Sequence, residues 1–403
     1  MIKAAIMGHG TVGSGVYEVF EMNADKIARV VGEPVEVKYV LDLRDFSALP
    51  YGHKFVTDFS VIENDPEVQV VAEVMGGVGA AYEFTKRCLQ AGKSVCTSNK
   101  ELVATRGEEL LKIAEEHGVN YMFEASVGGG IPIIRPMLQC LAANEFNEIC
   151  GILNGTTNYI LTQMIHNGVT FEDALKQAQL NGYAEKDPTA DIEGHDACRK
   201  ICILADLAFG DKFDPDEVSC EGITHITLED VANADKLGCV IKLIGRTVRC
   251  GDGTAYAYVA PHLIPKDNLL ASVEDVFNAI MVNGNATGDV MFYGKGAGKL
   301  ATASAVAADM LDCLEHAGRR RRIMWGDGSK HLLRPLDELQ SAWYVRYRGA
   351  RKELETVLPV ESLAEPAEGV LVARTGRLTT AEMRSRMETL NSCGTVHAAM
   401  RIL

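Results

Sequence analysis

Residues 2–19 read IKAAIMGHGTVGSGVYEV and carry the strongest fold signal in the first part of the chain. The apolar run IKAAIM comes first and has the composition of a buried strand. Glycines follow at Gly8, Gly10 and Gly13, and an amphipathic run begins directly after them. This order predicts a strand, a tight glycine turn and a helix, which together open a strand–helix–strand unit.

The same alternation of apolar runs and helical patterns continues to about residue 140. The later predicted strands lie at residues 35–41, 68–75, 93–98 and 120–126. An amphipathic helix is predicted at residues 107–118 and should end at Gly118. Strands that alternate with helices are typical of a parallel sheet with crossover helices. We therefore predict an α/β fold, with a doubly wound parallel sheet of the Rossmann type in residues 1–134.

The three glycines predict a dinucleotide site. A G-x-G-x-x-G pattern alone is a weak signal, because glycine-rich turns also arise for purely structural reasons. Here the pattern lies directly between a predicted strand and a predicted helix, as the dinucleotide fingerprint requires. Glycines at these positions let a pyrophosphate approach the helix N-terminus, where free N–H groups attract anions. We interpret Gly8, Gly10 and Gly13 as cofactor residues.

The end of the second predicted strand carries the residues that distinguish NAD from NADP. In VLDLRDF, residues 40–46, Asp42 is suited to accept a hydrogen bond from a ribose 2′-hydroxyl, and Arg44 is suited to bind a 2′-phosphate. An ordinary surface turn with an ion pair fits both residues equally well. The sequence leaves the choice of cofactor open.

Two further segments, VMGGVG and TSNKEL, follow predicted strands at their carboxyl ends. They place Gly76, Gly77, Asn99 and Lys100 at the crevice where ligands bind in open α/β sheets. For Lys100, a plain surface position is an equally good interpretation of the pattern alone.

Charged residues are densest in GYAEKDPTADIEGHDACRKICILADLAF, residues 182–209. Asp196 and Lys200 lie four residues apart on a predicted helix that is otherwise almost entirely apolar, so the pair should be buried or face a cleft. Upstream, Glu185, Asp187 and Asp191 gather negative charge that suits the ammonium group of a substrate, with a capping network as the alternative. A lysine among carboxylates, beside a nicotinamide site, predicts hydride transfer to a carbonyl with the lysine as proton donor.

Composition narrows the classes of partner. The chain has 403 residues, enough for two or three domains, and its net charge of −15 argues against binding nucleic acid. The basic run Arg319–Arg322 is interpreted as a solvated face near the end of a helix. No export signal or membrane-spanning stretch is apparent, and eleven scattered cysteines are typical of reduced thiols in a cytoplasmic protein. Cys198 and Cys202 lack a second pair at zinc-site spacing, so no side-chain metal site is expected.

From residue 1 to about 335, the sequence resembles the homoserine dehydrogenase family. The segments AQLNGYAEKDP and ADIEGHDACRK contain the family's signature residues, which are Ala178, Gly182, Asp187, Pro188, Asp191, Gly194, Asp196 and Lys200. Other segments that resemble the family in order and spacing are GHGTVGSGV, TSNKELVA, FEASVGGGIPII, GILNGTTNYIL and GKGAGKLATASAV.

The resemblance implies an enzyme that reversibly reduces L-aspartate 4-semialdehyde to L-homoserine with NAD or NADP, in threonine, methionine and isoleucine biosynthesis. Lys200 would donate the proton to the aldehyde oxygen, with Lys100 as a second catalytic lysine and Asp196 in support. Glu185 and Asp191 would bind the amino-acid end of the substrate. The implied cofactor contacts are Gly10, Thr11, Val12, Gly13, Gly76, Lys100 and Gly298. A dehydrogenase of another amino-acid aldehyde, or a nucleotide-sensing protein without turnover, is the alternative.

The resemblance also implies a monovalent cation, usually sodium, on the backbone carbonyls of Glu124, Val127, Gly129 and Ile131. It further implies a homodimer or larger homo-oligomer, formed through the middle domain. We expect a nucleotide-binding domain at 1–134, completed by about 296–330, and an α+β catalytic and dimerisation domain at 135–295.

Residues 336–403 should form a shortened, degenerate ACT-like segment with little core of its own. The turn and helix that would help form an effector site are not recognisable in GARKELETVLPVESLAEPAEG, residues 349–369. We therefore expect threonine feedback to be weak or absent.

Overall fold

The structure is a computed structural model that describes residues 1–316, 318 and 323–403, so the basic run Arg319–Arg322 lies outside the described residues. The helices are α1 (Thr11–Met22), α2 (Ala24–Val31), α3 (Ser60–Glu63), α4 (Gly79–Gln90), α5 (Lys100–Glu116), α6 (Gly155–Asn167), α7 (Phe171–Leu180), α8 (Thr189–Ile192), α9 (His195–Phe209), α10 (Leu228–Lys236), α11 (Lys299–Glu315), α12 (Arg351–Val357) and α13 (Thr380–Asn391). None of the helices in these ranges is long and apolar enough to cross a membrane.

The strands form two separate sheets. They are β1 (Ile2–Met7), β2 (Val35–Leu41), β3 (Phe55–Val56), β4 (Val68–Glu73), β5 (Ser94–Thr97), β6 (Tyr121–Met122), β7 (Phe146–Ile152), β8 (Ser219–Cys220), β9 (Cys239–Arg249), β10 (Ala255–Pro265), β11 (Phe277–Gly284), β12 (Gly288–Lys295), β13 (Gln340–Arg348), β14 (Val360–Ala367), β15 (Val370–Thr375), β16 (Leu378–Thr379) and β17 (Thr395–Ile402). Short 3₁₀ turns and a π-helix at Pro136–Cys140 connect some of them.

The first sheet is parallel, with six strands in the order β3-β2-β1-β4-β5-β6. This confirms the predicted Rossmann-type α/β fold, and it places a topological switch point between β1 and β4, where ligands bind in such sheets. Helix α11 packs back onto this sheet beside α1. The fit is close, because a Cβ on Gly15 would lie 2.8 Å from the carbonyl oxygen of Lys299.

Two details of the first sheet differ from the sequence predictions. The short strand β3 was not predicted, since two residues are too few to show a pattern. The predicted strand at 120–126 is shorter, because the chain leaves β6 after Met122 and turns through residues 124–126. Helix α5 is longer than predicted and begins at Lys100 itself.

The second sheet has eleven strands and joins the middle of the chain to its C-terminal part. Its main path runs β12-β11-β7-β9-β10-β17-β13-β15-β14. The junction is a short parallel pairing between β10 and β17, at His262 with Arg401 and Leu263 with Ile402. The C-terminal segment is therefore a lateral extension of the middle sheet.

The C-terminal segment is more complete than the sequence suggested. It runs β13-α12-β14-β15-β16-α13-β17, with β17 pairing with β10, and α12 at Arg351–Val357 lies in the stretch where no helix was recognised. A helix is therefore present there, and weak or absent threonine feedback stays a prediction. The segment also has its own core, which contradicts the expectation of little core; its buried members are Trp343, Val345, Tyr347, Leu354, Leu358, Leu371, Ala373, Leu378, Met383 and Leu390.

Candidate functional site

The glycine turn after β1 has the shape that a dinucleotide needs. Gly8 adopts a φ of +98°, a conformation that L side chains rarely take. A Cβ on Gly13 would lie 1.9 Å from the carbonyl oxygen of Gly8, so α1 can approach β1 only with glycine there. Gly10 has no atom within 4 Å of its Cβ position, and it opens to the space above the N-terminus of α1, where Thr11 and Val12 begin the helix. The residues present fit a pyrophosphate.

Two alanine substitutions should separate folding from cofactor binding in this turn. We expect Gly10→Ala to leave the midpoint of thermal unfolding unchanged but to weaken binding of the reduced cofactor, because its methyl group occupies the open space. Gly13→Ala should weaken binding and also destabilise the fold by about 1–3 kcal/mol, because the methyl group collides with backbone. Thermal unfolding and a fluorescence titration with NADPH measure both effects. Equal thermal shifts for the two variants would contradict this interpretation.

Asp42 and Arg44 lie together at the end of β2. The Arg44 side chain donates from Nε to Oδ1 of Asp42 at 3.0 Å and from a terminal nitrogen to Oδ2 at 2.8 Å. Oδ1 also accepts from the backbone N–H of Arg44, and Oδ2 accepts from that of His9. These contacts hold the pKa of the Asp42 carboxyl well below its usual range. The Asp42 side chain is 10% exposed, whereas that of Arg44 is 61% exposed.

Glu73, at the end of β4, forms hydrogen bonds with two loops of the cleft. It is fully buried and accepts hydrogen bonds from Thr97 Oγ1 at 2.6 Å and from the backbone N–H of Met75 at 2.9 Å. Next to it, the Asn99 side chain donates to Gly77 O at 2.7 Å and accepts from the N–H of Leu102 at the start of α5. The loop of Gly76 and the helix end that carries Lys100 are thus fixed to one another. Glu73 was not among the residues predicted from the sequence.

Burial raises the pKa of the Glu73 carboxyl from 4.5 to about 7, against the opposing hydrogen bonds. Between these two pH values the folded protein holds a proton that the unfolded chain releases, so this group's contribution to stability falls as pH rises. We expect the free energy of unfolding of Glu73→Gln, taken relative to that of the wild type, to increase by up to about 3 kcal/mol between pH 5 and pH 8. Urea unfolding at both pH values measures it, with exposed Glu83→Gln as the matched control. A difference that does not change with pH would contradict the assignment.

The centre of the site is a chain of three charged groups, Lys100–Asp196–Lys200. Asp196 and Lys200 lie one turn apart on α9, with Lys200 Nζ 2.7 Å from Asp196 Oδ2, and their side chains are only 4% and 10% exposed. Lys100 Nζ, at the start of α5, lies 2.6 Å from the other oxygen, Oδ1. The predicted buried pair is therefore present. Lys100 connects helices of the two sheets, and its side chain is 39% exposed.

Asp196 is electrostatically coupled to both lysines of this chain. Burial alone would raise the pKa of Asp196, but the ammonium groups of Lys200 and Lys100 outweigh it and hold that pKa well below its usual range. Asp196 in turn raises the pKa of Lys100. Lys200 Nζ also donates to Leu153 O at 2.8 Å. An ammonium group has three donors, so the two bonds recorded for Lys200 leave one for a ligand.

Asn154 aligns the carboxylates of the site, and sequence analysis had not assigned it a role. Its Nδ2 donates to Asp191 Oδ1 at 2.7 Å and to Asp196 Oδ2 at 2.9 Å. Its Oδ1 accepts from the N–H of Thr157 and so caps α6. An asparagine before a helical run is a capping signal that sequence analysis could have used. Its contacts with Asp191 and Asp196, which lie more than thirty residues later in the sequence, leave no such signal.

The three acidic residues upstream of α9 occupy different environments. Asp191 lies beside Asp196, and burial raises its pKa, with the charge of Asp196 acting in the same direction. Asp187 caps the turn at Thr189. Glu185 is exposed in the loop before α8, and no hydrogen bond or ion pair of its carboxylate to the cluster is recorded among the described residues. The structure thus brings Asp191, but not Glu185, to the lysines.

The segment proposed for a cation is buried and irregular. Glu124, Val127 and Ile131 are nearly inaccessible, and Gly129 adopts a φ of +57° against the carbonyl of Gly296. The Glu124 carboxylate accepts from three successive backbone N–H groups, those of Ile133, Ile134 and Arg135. That side chain is therefore occupied, and only main-chain carbonyls remain as ligands. Within the described part of the chain, no group of three or more His, Cys, Asp or Glu side chains could hold a metal ion.

Gly298 borders the glycine turn from the other side. It precedes α11 with a φ of +125°, and the next residue, Lys299, forms an ion pair of 2.6 Å with Glu18 on α1. The helix therefore holds Gly298 at the same end of the first sheet as α1. The seven positions that the resemblance implies for the cofactor all lie on loops or in first turns of helices at this end.

Comparisons with known proteins show which families this sequence matches. A family model described as homoserine dehydrogenase matches residues 132–311, and one described as the NAD binding domain of homoserine dehydrogenase matches residues 8–124. The homoserine dehydrogenase of Pseudomonas aeruginosa is 40% identical over 370 residues, which cover 89% of this chain and 85% of the relative.

Solved structures are similar as well. The crystal structure of a homoserine dehydrogenase from Thiobacillus denitrificans is 34% identical with a TM-score of 0.92, covering 100% of this chain and 98% of that one. A hyperthermophilic archaeal homoserine dehydrogenase in complex with NADPH is 28% identical with a TM-score of 0.66, covering 77% of this chain and 97% of that one.

Proposed function

The chain belongs to the homoserine dehydrogenase family, and from this membership we propose how its own residues interconvert L-aspartate 4-semialdehyde and L-homoserine. The single observation that carries the mechanism is the Lys100–Asp196–Lys200 chain, with Asp196 and Lys200 buried, which lies between the cofactor end of the first sheet and the acidic cluster before α9. When bound, the reduced nicotinamide supplies the hydride.

Lys200 is the proton donor to the aldehyde oxygen. Two of its three N–H donors are committed to Leu153 and Asp196, so the third is available to the substrate oxygen. As negative charge develops on that oxygen, the ammonium group stabilises it and then gives up a proton to form the alcohol. Asp196 keeps Lys200 oriented throughout. Lys100, on the other carboxylate oxygen, adds positive charge next to the reacting carbonyl.

Asp191 is proposed to bind the substrate's ammonium group, together with Glu185. Asp191 lies beside the lysine chain, and burial raises the pKa of its carboxyl group. A bound ammonium group would lower that pKa. Glu185 reaches the substrate only if its exposed loop moves toward α9. The negative charge at this end of the site favours an aldehyde that carries an amino group over one that lacks it.

The choice of substrate can be tested directly. Purified protein is incubated with NADPH and either L-aspartate 4-semialdehyde or succinic semialdehyde, which lacks the amino group. We expect oxidation of NADPH only with the first, and L-homoserine as its product. Equal kcat/KM values for the two aldehydes would contradict a role for the acidic cluster in selecting an amino acid.

We further propose that NADP is the preferred cofactor. A carboxylate has about four lone-pair sites, and four donors already occupy Asp42, which leaves none for a ribose 2′-hydroxyl. The exposed guanidinium of Arg44, in contrast, can turn toward a 2′-phosphate. The family resemblance of the first domain supports NAD(P) binding in general.

Removing Arg44 should invert this preference. We expect Arg44→Ala to raise KM for NADPH by about tenfold or more, because a charge-assisted contact to phosphate is lost. KM for NADH should fall, since Asp42 is then free to accept from the ribose. Steady-state kinetics with both cofactors decide the matter, with exposed Arg29→Ala as a control. An unchanged ratio of the two KM values would contradict the proposal.

Four further features are also proposed. A monovalent cation, sodium by resemblance, would bind the carbonyls of Glu124, Val127, Gly129 and Ile131, for which their burial and irregular backbone are suitable. A homodimer or larger oligomer would form through residues 135–295. The chain would work in the cytoplasm, with domains divided at about residues 134, 295 and 336. A sodium titration followed by thermal unfolding tests the cation site, and sedimentation tests the oligomeric state.

A further inference from the structure

A closed ring of hydrogen bonds lies where the carboxyl ends of β4 and β5 meet, and Thr97 is its central residue. Thr97 and Glu73 are directly paired residues of the two parallel strands, and both are fully buried. The Thr97 hydroxyl donates to Glu73 Oε2 at 2.6 Å and accepts from the backbone N–H of Asn99 at 2.9 Å. This one hydroxyl therefore connects the end of β4 to the residue that precedes α5.

The ring closes through the cofactor loop, which runs from Met75 to Gly77 after β4. The backbone N–H of the first of these residues donates to Glu73 Oε1 at 2.9 Å. Asn99 Nδ2 donates to the carbonyl oxygen of the last one at 2.7 Å. From Thr97 the path thus runs through Glu73, the cofactor loop and Asn99, and it returns to Thr97. We call this closed path the Thr97 ring.

The asparagine of the ring also fixes the start of the helix that carries Lys100. Asn99 is the N-cap of α5, because its Oδ1 accepts from the N–H of Leu102 at 3.1 Å. Lys100 is the first residue of that helix, and its Nζ lies 2.6 Å from Asp196 Oδ1 on α9. Since the cap and the lysine are consecutive residues, a shift of the cap moves Lys100 directly.

Removing the Thr97 hydroxyl would leave two groups of the ring without a partner. One is a carboxylate oxygen of Glu73, and the other is the backbone N–H of Asn99. An unsatisfied buried polar group is costly, so the cap should move until its N–H finds another acceptor. Thr85 on α4 provides a contrast, because it is equally buried but its hydroxyl has no hydrogen-bond partner in the part of the chain that the structure describes.

We propose that Thr97 is a positioning residue of the reduction, whose hydroxyl holds Lys100 at a fixed place relative to the cofactor loop. Thr97 is fully buried, so it acts through Asn99 and touches neither substrate nor cofactor. This inference rests on the proposed function, in which Lys100 adds positive charge next to the reacting carbonyl. A displaced Lys100 weakens an interaction that grows in the transition state, so kcat should fall more than the KM values rise.

Three substitutions of buried threonines test the role of the hydroxyl. We expect Thr97→Val to lower kcat with NADPH and L-aspartate 4-semialdehyde by about tenfold or more, because small misplacements of a catalytic group are costly. KM for the aldehyde and Kd for NADPH should change less than kcat. Thr97→Ser keeps the hydroxyl but loses a core methyl group, so it should be less stable yet retain a kcat close to the wild-type value. Thr85→Val should retain both kcat and stability.

A second comparison asks whether Thr97 acts through Lys100. Thr97→Val should lower kcat in the wild type but not in Lys100→Ala, because the displaced group is then already absent. If Lys100→Ala is too slow to measure, the comparison of Thr97→Val with Thr97→Ser decides. If Thr97→Val does not fold, Asn99→Ser replaces it, since serine still caps a helix but is too short to reach Gly77. That variant should also lose kcat.

The proposal is overturned if folded Thr97→Val, or Asn99→Ser in its place, keeps the wild-type kcat. It is also overturned if Thr97→Ser loses as much kcat as Thr97→Val, or if Thr97→Val lowers kcat by the same factor with and without Lys100. The wild-type assay separates these outcomes from the proposed function. A wild type that does not oxidise NADPH with the aldehyde contradicts the proposed function itself, whereas an active wild type with an equally active Thr97→Val contradicts only the role of Thr97.

Discussion

Replacing Lys200 by alanine should lower kcat with L-aspartate 4-semialdehyde by about 10²–10⁴-fold, the usual loss when a positioned proton donor is removed. The remaining groups cannot take its place, because Lys100 lies on the far oxygen of Asp196. KM for the aldehyde should change much less than kcat, since the interaction grows mainly in the transition state. Steady-state oxidation of NADPH measures both constants.

A matched control replaces a surface lysine that also forms an ion pair with an aspartate. Lys176 on α7 pairs with Asp173 at 3.6 Å, and both side chains are largely exposed. Lys176→Ala should leave kcat and KM at wild-type values. If both lysine variants retain normal turnover, Lys200 is not the proton donor.

Replacing Asp196 by asparagine should damage stability and activity together. The amide has the same shape, but it leaves the buried ammonium of Lys200 without its carboxylate, which costs about 3–5 kcal/mol when one partner of a buried pair is removed. Lys100 is more exposed and adds little to that cost. Urea unfolding gives the loss of stability, and kcat/KM gives the loss of activity.

The pH dependence of the same variant distinguishes an electrostatic role from a purely structural one. Asp196 raises the pKa of Lys100, so its removal should shift the alkaline limb of the rate profile to lower pH. The surface variant Asp173→Asn should change stability by less than about 1 kcal/mol and leave the profile in place. An Asp196→Asn protein as stable as the wild type, with an unshifted profile, would contradict the assigned role.

Local patterns explain why the first sheet and the α9 pair could be predicted. The strand, glycine turn and helix of residues 2–19 follow each other directly, and Asp196 and Lys200 are one helical turn apart, so each signal lies within a short window. The contact of Lys100 with Asp196 joins helices of different sheets. The sequence supplied both residues as candidates, but only the fold could bring them together.

The C-terminal segment shows where local patterns fail. Strand β14 is an edge strand of the sheet, mostly exposed, and it contains charged residues and Pro366. Such residues protect an exposed edge from pairing with other chains, and they also remove the alternation that marks a strand. Helix α12 has only seven residues and buries Leu354 alone. The arrangement becomes visible only through pairing with β10, β13 and β15, far away in sequence.

Chemical rescue tests the central claim most directly, namely that the ammonium group of Lys200 delivers the proton. The purified Lys200→Ala protein, with its fold verified by thermal unfolding, is assayed with NADPH and L-aspartate 4-semialdehyde while methylammonium is added. We predict a very slow reaction that accelerates with methylammonium concentration and yields L-homoserine, whereas wild-type turnover does not respond. A variant that reaches nearly the wild-type kcat without added amine would contradict the account.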